Sequence, residues 1–308
     1  MKKIISILFS VLILVSCFSV LSFAADESDK PFENSEFFVS DDYTLHYRVF
    51  EPSENPKKQI FLIHGFCLST VSFENIAQEY VKMGCRVVLA DMPNFGYSSR
   101  ETKSSSLKDR EELSYELMMN LSTEPWIVGG NSMGGGIAIN IATDHPESVN
   151  GLILFAPQTS TEMAAPMNMI MRSGLVQTIY TILVKFALMN KSLIRNLVED
   201  SFSDKEYAAN YDLNRITDPF KINGTGAGIA IMASHARGTD FEKFSSLDIP
   251  TVIIAGEDDR IANKDNLDKI IDNAPKGAEV YRVDFGGHMM MEYDAEKTAA
   301  LTVCVIEK

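Results

Sequence analysis

The sequence predicts an α/β chain, with a mainly parallel sheet covered by helices and interrupted late by a helical insertion. Three observations carry that expectation. Short unbroken apolar runs, the mark of strands buried on both faces, alternate with helical stretches. One such run, Trp126-Ile127-Val128, leads through Gly129 into Gly130-Asn131-Ser132-Met133-Gly134, a Gly-x-Ser-x-Gly pattern followed by a small-residue helix start. The alternation stops after Ala156-Pro157 and resumes only at Pro250, with long helical stretches between.

Taken in order, the chain begins with Lys2 and Lys3, an apolar run from Ile4 to about Val15, and Ser22-Phe23-Ala24. That is the pattern of a secretory signal peptide cut after Ala24, so the protein is expected to be exported. Leu14-Val15-Ser16-Cys17 also resembles a bacterial lipobox, in which Cys17 would carry a lipid. Phe18, Val20 and Leu21 are apolar where lipoproteins turn polar, which favours simple export. An uncleaved membrane anchor is the third reading. All three put the remaining chain outside the cytoplasm, with membrane contact expected only through this N-terminal segment. Beyond it, Cys67, Cys85 and Cys304 form an odd set with no metal-like spacing, so no disulfide framework is indicated.

The full length of 308 residues and the 45% hydrophobic content suit one enzyme-sized core. A formal net charge of -14 repels nucleic acid, and it argues against an anionic membrane surface held by basic residues. From Glu36, two alternating stretches around Asp41-Asp42 read as an antiparallel hairpin. Gln59 to Ile63 reads as a buried strand ending in His64-Gly65-Phe66; Phe73, Ile76, Ala77, Tyr80 and Val81 fall at helical spacing; Arg86 to Ala90 is another buried strand. A charged amphipathic helix is expected from Leu107 to Leu121, and Gly151 to Phe155 is the strand after the glycine-serine turn. The expected organisation is therefore a signal segment (1–24), a first core part (25–157), a helical insertion (158–246) and a second core part (247–308). In the insertion, Leu175 to Val198 reads as long helix, Met163, Met167, Met169 and Met171 as candidates for an apolar wall, and Gly224-Thr225-Gly226-Ala227-Gly228 as a flexible segment.

The serine turn has a physical logic. A serine on a sharp strand-to-helix turn is strained, and is tolerated when the residues two before and two after carry no side chain, here Gly130 and Gly134. Its hydroxyl would stand at a helix N-terminus, where amides and the helix dipole favour developing negative charge.

Further motifs fall in an informative order. His64-Gly65-Phe66, the Asp91-x-Pro93-x-x-Gly96-x-Ser98 element, Ser132 in its turn, Gly256-Glu257-Asp258-Asp259-Arg260-Ile261 and Gly287-His288 follow one another, each past the end of a strand. From about Glu36 to the C-terminus the chain thus resembles the α/β-hydrolase family, of the kind with a helical cap. The resemblance implies an eight-stranded-type, mostly parallel sheet and a Ser-His-Asp triad: Ser132 as nucleophile, His288 as general base and then acid, and Asp259 as the carboxylate that orients the imidazole. Asp258 competes for that last role; the family pattern, with the acid three residues after the glycine, favours Asp259. The oxyanion donors implied are the backbone N–H groups of Phe66 and Met133. His64 would brace its loop, while His46, His145 and His235 lack such a context. Asn94 stands where the family has glycine, and Asn is the residue next most able to take positive φ. A serine nucleophile weighs against the dehalogenase and epoxide-hydrolase branches, which need a carboxylate.

The expectation is an exported serine hydrolase, carboxylesterase- or lipase-like, that cleaves a small to medium apolar acyl substrate, with no metal and no cofactor. The same triad serves ester, thioester, amide and carbon–carbon cleavage. The alternative is a weakly or non-catalytic receptor for a hydrophobic ligand on the same fold.

Overall fold

Unbroken apolar runs become strands here because each is covered on both sides. In the computed structural model, Ile60 and Leu62 pack into one core layer while Phe61 and Ile63, pointing the other way, pack into the layer opposite. The structure describes residues 30–102, 105, 108–160, 165–234 and 236–308; the expected signal segment with Cys17, and also Met163 and His235, lie outside the described residues.

Eight strands form one sheet: β1 (Ser35–Ser40), β2 (Tyr43–Phe50), β3 (Lys58–Ile63), β4 (Cys85–Ala90), β5 (Trp126–Asn131), β6 (Val149–Phe155), β7 (Thr251–Gly256) and β8 (Glu279–Val283). Their order is β1-β2-β4-β3-β5-β6-β7-β8. β2 runs antiparallel to both β1 and β4, and every other neighbouring pair is parallel. From β3 the chain steps outward to β4, then returns to place β5 on the other side of β3. The carboxyl ends of β3 and β5 therefore flank the switch point where ligands gather in open α/β sheets.

Helices α1 (Glu74–Lys82), α2 (Arg110–Leu121) and α3 (Met133–Asp144) lie between the successive strands. The second is described from Arg110, and Leu107, the expected start, lies outside the described residues. Between β6 and β7 come α4 (Ala165–Met171), α5 (Gly174–Met189), α6 (Lys191–Ser201), α7 (Lys205–Asn210), α8 (Asn214–Phe220), α9 (Thr225–Ala233) and α10 (Phe241–Ser245). The single helical stretch expected from Leu175 to Val198 is two helices, because Asn190 leaves the helical conformation and its side chain accepts from Leu193 N–H as a new N-cap. The glycine-rich 224–228 stretch is not a flexible segment either. Its glycines start α9, where they let that helix press against the backbone of Thr181 and the side chain of Asn94. Helix α11 (Lys264–Asp272) precedes β8, and α12 (Met290–Tyr293), α13 (Ala295–Ala300) and α14 (Val303–Ile306) close the chain.

Two arginines fasten the insertion to the sheet's loops. Arg100 donates to Thr225 Oγ1 (2.8 Å) and to the Pro219 carbonyl (2.8 Å) while also bonding the carbonyls of its own loop. Arg215 donates to Glu292 Oε1 (3.1 Å) and to the Val71 carbonyl (3.1 Å).

Candidate active site

The turn joining β5 to α3 holds Ser132 at φ 52° and ψ −119°, a left-handed strain for a residue with a Cβ. Neighbours lock it there. Ser132 N–H donates to the Phe155 carbonyl (3.0 Å), and the Ser132 carbonyl accepts from the N–H groups of Gly135 (2.9 Å) and Gln158 (2.9 Å). A side chain at Gly130 would collide with the backbone of Gly134, and one at Gly134 would run into the Ile63 carbonyl. The glycines thus serve a close approach of three backbones, which is why the pattern tolerates nothing larger at those places.

At the ends of β7 and β8, Asp259 and His288 meet: His288 Nδ1 lies 2.7 Å from Asp259 Oδ2. The other oxygen, Oδ1, accepts from Ile261 N–H (2.8 Å) and Ala262 N–H (2.9 Å). Burial alone would push this carboxyl up, but the His288 hydrogen bond and charge, helped by the two amides, hold it below the usual carboxylate range. An ionised Asp259 accepts from Nδ1–H, which fixes the orientation of the ring and directs Nε2 away from the carboxylate. Asp258 is exposed and takes no part in this contact. Asn131, immediately before Ser132, donates to the carbonyls of His288 (3.0 Å) and Phe155 (3.2 Å). It ties the serine turn to the histidine loop, a link that nothing in the sequence pattern announces.

The loop after β3 supplies the opposite wall. His64 is buried: Nδ1 bonds the Gly65 carbonyl (2.7 Å), and Nε2 accepts from Met92 N–H (3.0 Å). Burial lowers its proton affinity, consistent with a neutral ring that braces two loops. The backbone N–H groups of Phe66 and Met133 have no internal acceptor among the described residues. Cys67, next in line, sits at φ 63° in the cavity wall, and desolvation there pushes its thiol up to about 12.

Ser132, His288 and the Phe66 loop line one cavity of about 470 Å³. Its remaining wall comes chiefly from the insertion, with Tyr180 and Val184 from α5, Ile194 and Val198 from α6, and Phe220 from α8. Among the described residues, the lining contains no Asp, Glu, Lys or Arg. Of the methionines expected there, Met167, Met169 and Met171 are not in the wall, Met167 and Met169 being exposed on α4, and Met163 lies outside the described residues; among the described residues the methionine in the wall is Met289, from the histidine loop. Ser132 and His288 share this cavity without a direct hydrogen bond among the described residues.

A fully hydrogen-bonded Ser-His-Asp chain does occur elsewhere in the molecule. Ser35 Oγ is 2.7 Å from His46 Nε2, and His46 Nδ1 is 2.7 Å from Asp91 Oδ2. All three side chains are sealed from solvent. Asp91 also accepts from Thr70 N–H and Tyr97 N–H, and a Cβ at Gly96 would overlap its carboxyl group. The Asp-x-Pro-x-x-Gly-x-Ser element is thus a structural knot, and Asn94 takes the positive φ (76°) of the glycine it replaces.

Residues 54–295 match the family model described as serine aminopeptidase, S33. The chain belongs to this S33 family of α/β-hydrolases. Among curated relatives, it is 22% identical to an uncharacterised hydrolase, YugF, of Bacillus subtilis over 83% of this chain and 91% of that protein. It is 22% identical to a monoglyceride lipase of Rattus norvegicus, over 85% of each chain. The crystal structure of the enol-lactonase from Burkholderia xenovorans superposes with a TM-score of 0.70 at 16% identity, covering 89% of this chain and 100% of that one, a likeness of fold. The chain is accordingly a hydrolase of the α/β family, with esterase- and lipase-like relatives.

Proposed function

We propose that this hydrolase cleaves an apolar carboxylic ester through an acyl-enzyme formed on Ser132. The observation that carries the reading is a largely apolar cavity, lined by no Asp, Glu, Lys or Arg among the described residues, with Ser132 and an Asp259-oriented imidazole in its wall. In the proposed cycle, Ser132 Oγ attacks the ester carbonyl as His288 Nε2 takes its proton; the N–H groups of Phe66 and Met133 receive the oxyanion; His288 then protonates the leaving alcohol. A water, deprotonated by the same imidazole, releases the acid. Each oxyanion donor is worth about 3 kcal/mol in the barrier. The hydroxyl–imidazole contact in such sites commonly tightens only when substrate is bound.

The family's aminopeptidase description fits this cavity less well. A peptide's α-ammonium needs a carboxylate partner once it leaves water, and the lining offers none. The lipase-named relatives agree better with such walls, and a single-chain, neutral acyl ester is the substrate class we favour. The insertion acts in this reading as the cap that shapes the acyl site, and the signal-like pattern of the N-terminal sequence supports, as part of the same proposal, a site of action outside the cytoplasm.

The test is a p-nitrophenyl ester series together with a fluorophosphonate probe on the purified chain. Steady turnover and labelling, both lost in Ser132→Ala, are expected, with the rate rising as the acyl group lengthens from acetate to fill the cavity. A parent protein that neither turns over esters nor takes the probe would refute the proposal and leave ligand capture as the role of the cavity.

A further inference from the structure

Helix α5 is apolar on both sides. Tyr180, Val184 and Leu188 face the cavity, yet Leu175, Ile179, Ile182, Phe186 and Met189, spaced 4, 3, 4 and 3 residues apart, form a stripe open to solvent, from 44% exposed at Ile179 to 86% at Met189. A helix apolar all round is normally enclosed by protein or by lipid. On α4, Met167, Met169 and Ile170 extend the same kind of surface.

The charges here are also distinctive. Between residues 163 and 198 the chain carries Arg172, Lys185, Lys191 and Arg195 and no carboxylate, within a protein of net charge -14. Exposed apolar side chains in a segment whose only charges are cations are the composition of an element that lies in the plane of an anionic lipid surface. No helix among the described residues is long and apolar enough to cross a membrane, so the contact would be planar. A second copy of this chain would suit the surface less well, because a two-fold contact through the stripe would bring like-charged lysines together.

We propose that the α4–α5 face docks on an anionic lipid surface, with Ile179, Ile182 and Phe186 in the headgroup–acyl boundary and Lys185 and Lys191 on the phosphates. Leu183 and Leu197 are both exposed and part of the cavity wall, so the docked face continues into the cavity and an acyl chain passes from lipid toward Ser132 along apolar surface. The negative charge of the whole chain hides this face because its cations are gathered in one segment. The inference goes beyond the ester chemistry and does not depend on Ser132 being a nucleophile.

The chain's one native tryptophan, Trp126, is fully buried, so Ile182→Trp introduces an indole at the stripe with little background. In the full chain, mixed phosphatidylglycerol–phosphatidylcholine vesicles should shift its emission to the blue, and brominated acyl chains should quench it. Flotation with the same vesicles should fall at least about tenfold in Lys185→Glu/Lys191→Glu and in high salt. Vesicle binding without quenching would place some other face on the lipid and overturn the proposal; so would the absence of binding. A blue shift without lipid that grows with protein concentration would make a second copy the occupant and would equally overturn it.

Discussion

Glu292, four residues beyond His288, is 1% exposed in its side chain and accepts from Tyr211 Oη (3.0 Å) and Arg215 Nη2 (3.1 Å) through one oxygen, Oε1. Oε2 is buried without a partner. Burial drives this carboxyl from its ordinary 4.5 up to about 7, against the opposing pull of Arg215 and Tyr211. Arg215 leans the other way: burial lowers it, but the charges of Glu292 and Tyr211 outweigh that and hold it above its ordinary value. The two agree physically, since Arg215, 30% exposed, keeps some water while Glu292 keeps almost none. The folded state therefore holds the Glu292 proton more tightly than the unfolded chain does. Its contribution to stability is fully present below pH 4.5 and is lost as pH rises through 7. At about 1.4 kcal/mol per tenfold in proton affinity, the loss amounts to an order of magnitude of 3 kcal/mol. Glu292→Gln keeps an acceptor for Tyr211 and Arg215 and removes the titration. Its stability relative to the parent should rise by about that amount between pH 4 and pH 8, while the unpaired amide adds a penalty of about 1–3 kcal/mol that does not change with pH. Urea midpoints of both proteins at four pH values measure it. Parallel curves for parent and variant would refute the argument.

Two further outcomes follow from the same geometry. Asp259→Asn should lower kcat by several orders of magnitude with KM little changed, because the amide no longer favours the Nδ1–H tautomer, whereas Asp258→Asn should stay within about twofold of the parent; ester kinetics on the pair separate them, and equal losses would show that the carboxylate was misassigned. Gly134→Ala should yield a poorly folding or inactive protein, since its Cβ meets the Ile63 carbonyl, while Gly277→Ala, where the Cβ meets nothing, tests backbone strain alone at φ 86°; circular dichroism melts should show the larger loss for Gly134→Ala, and the reverse order would undercut the close-approach argument.

Much of the sheet was legible because strands buried on both faces have to be apolar throughout, so Gln59 to Ile63 and Pro250 to Ala255 stand out as runs. The candidate site was legible for a related reason. Ser132 and His288 sit beside glycines that only a crowded backbone would require, and such requirements leave a mark in the sequence. The insertion was less readable. Its helices pack by fit rather than by period, so the tight seat of Gly226 against Thr181 has no local signature, and the break at Asn190 shows only as an N-cap residue within an apolar run. The same holds for Asn131, whose bonds reach residues far away in the chain. That Met167, Met169 and Met171 stand outside the cavity wall was not readable, because composition says which residues are apolar but not which way a helix is turned.

Ser35, His46 and Asp91 carry a lesson about recognising enzymes by template. Two links of 2.7 Å join hydroxyl, imidazole and carboxylate in the order a distance search would ask for. Yet all three side chains are buried, and that hydroxyl is not part of the wall of the cavity that holds Ser132. Within one molecule, the same trio of groups serves once as mortar and once, on our reading, as a tool, and admission of a guest molecule is what divides the two.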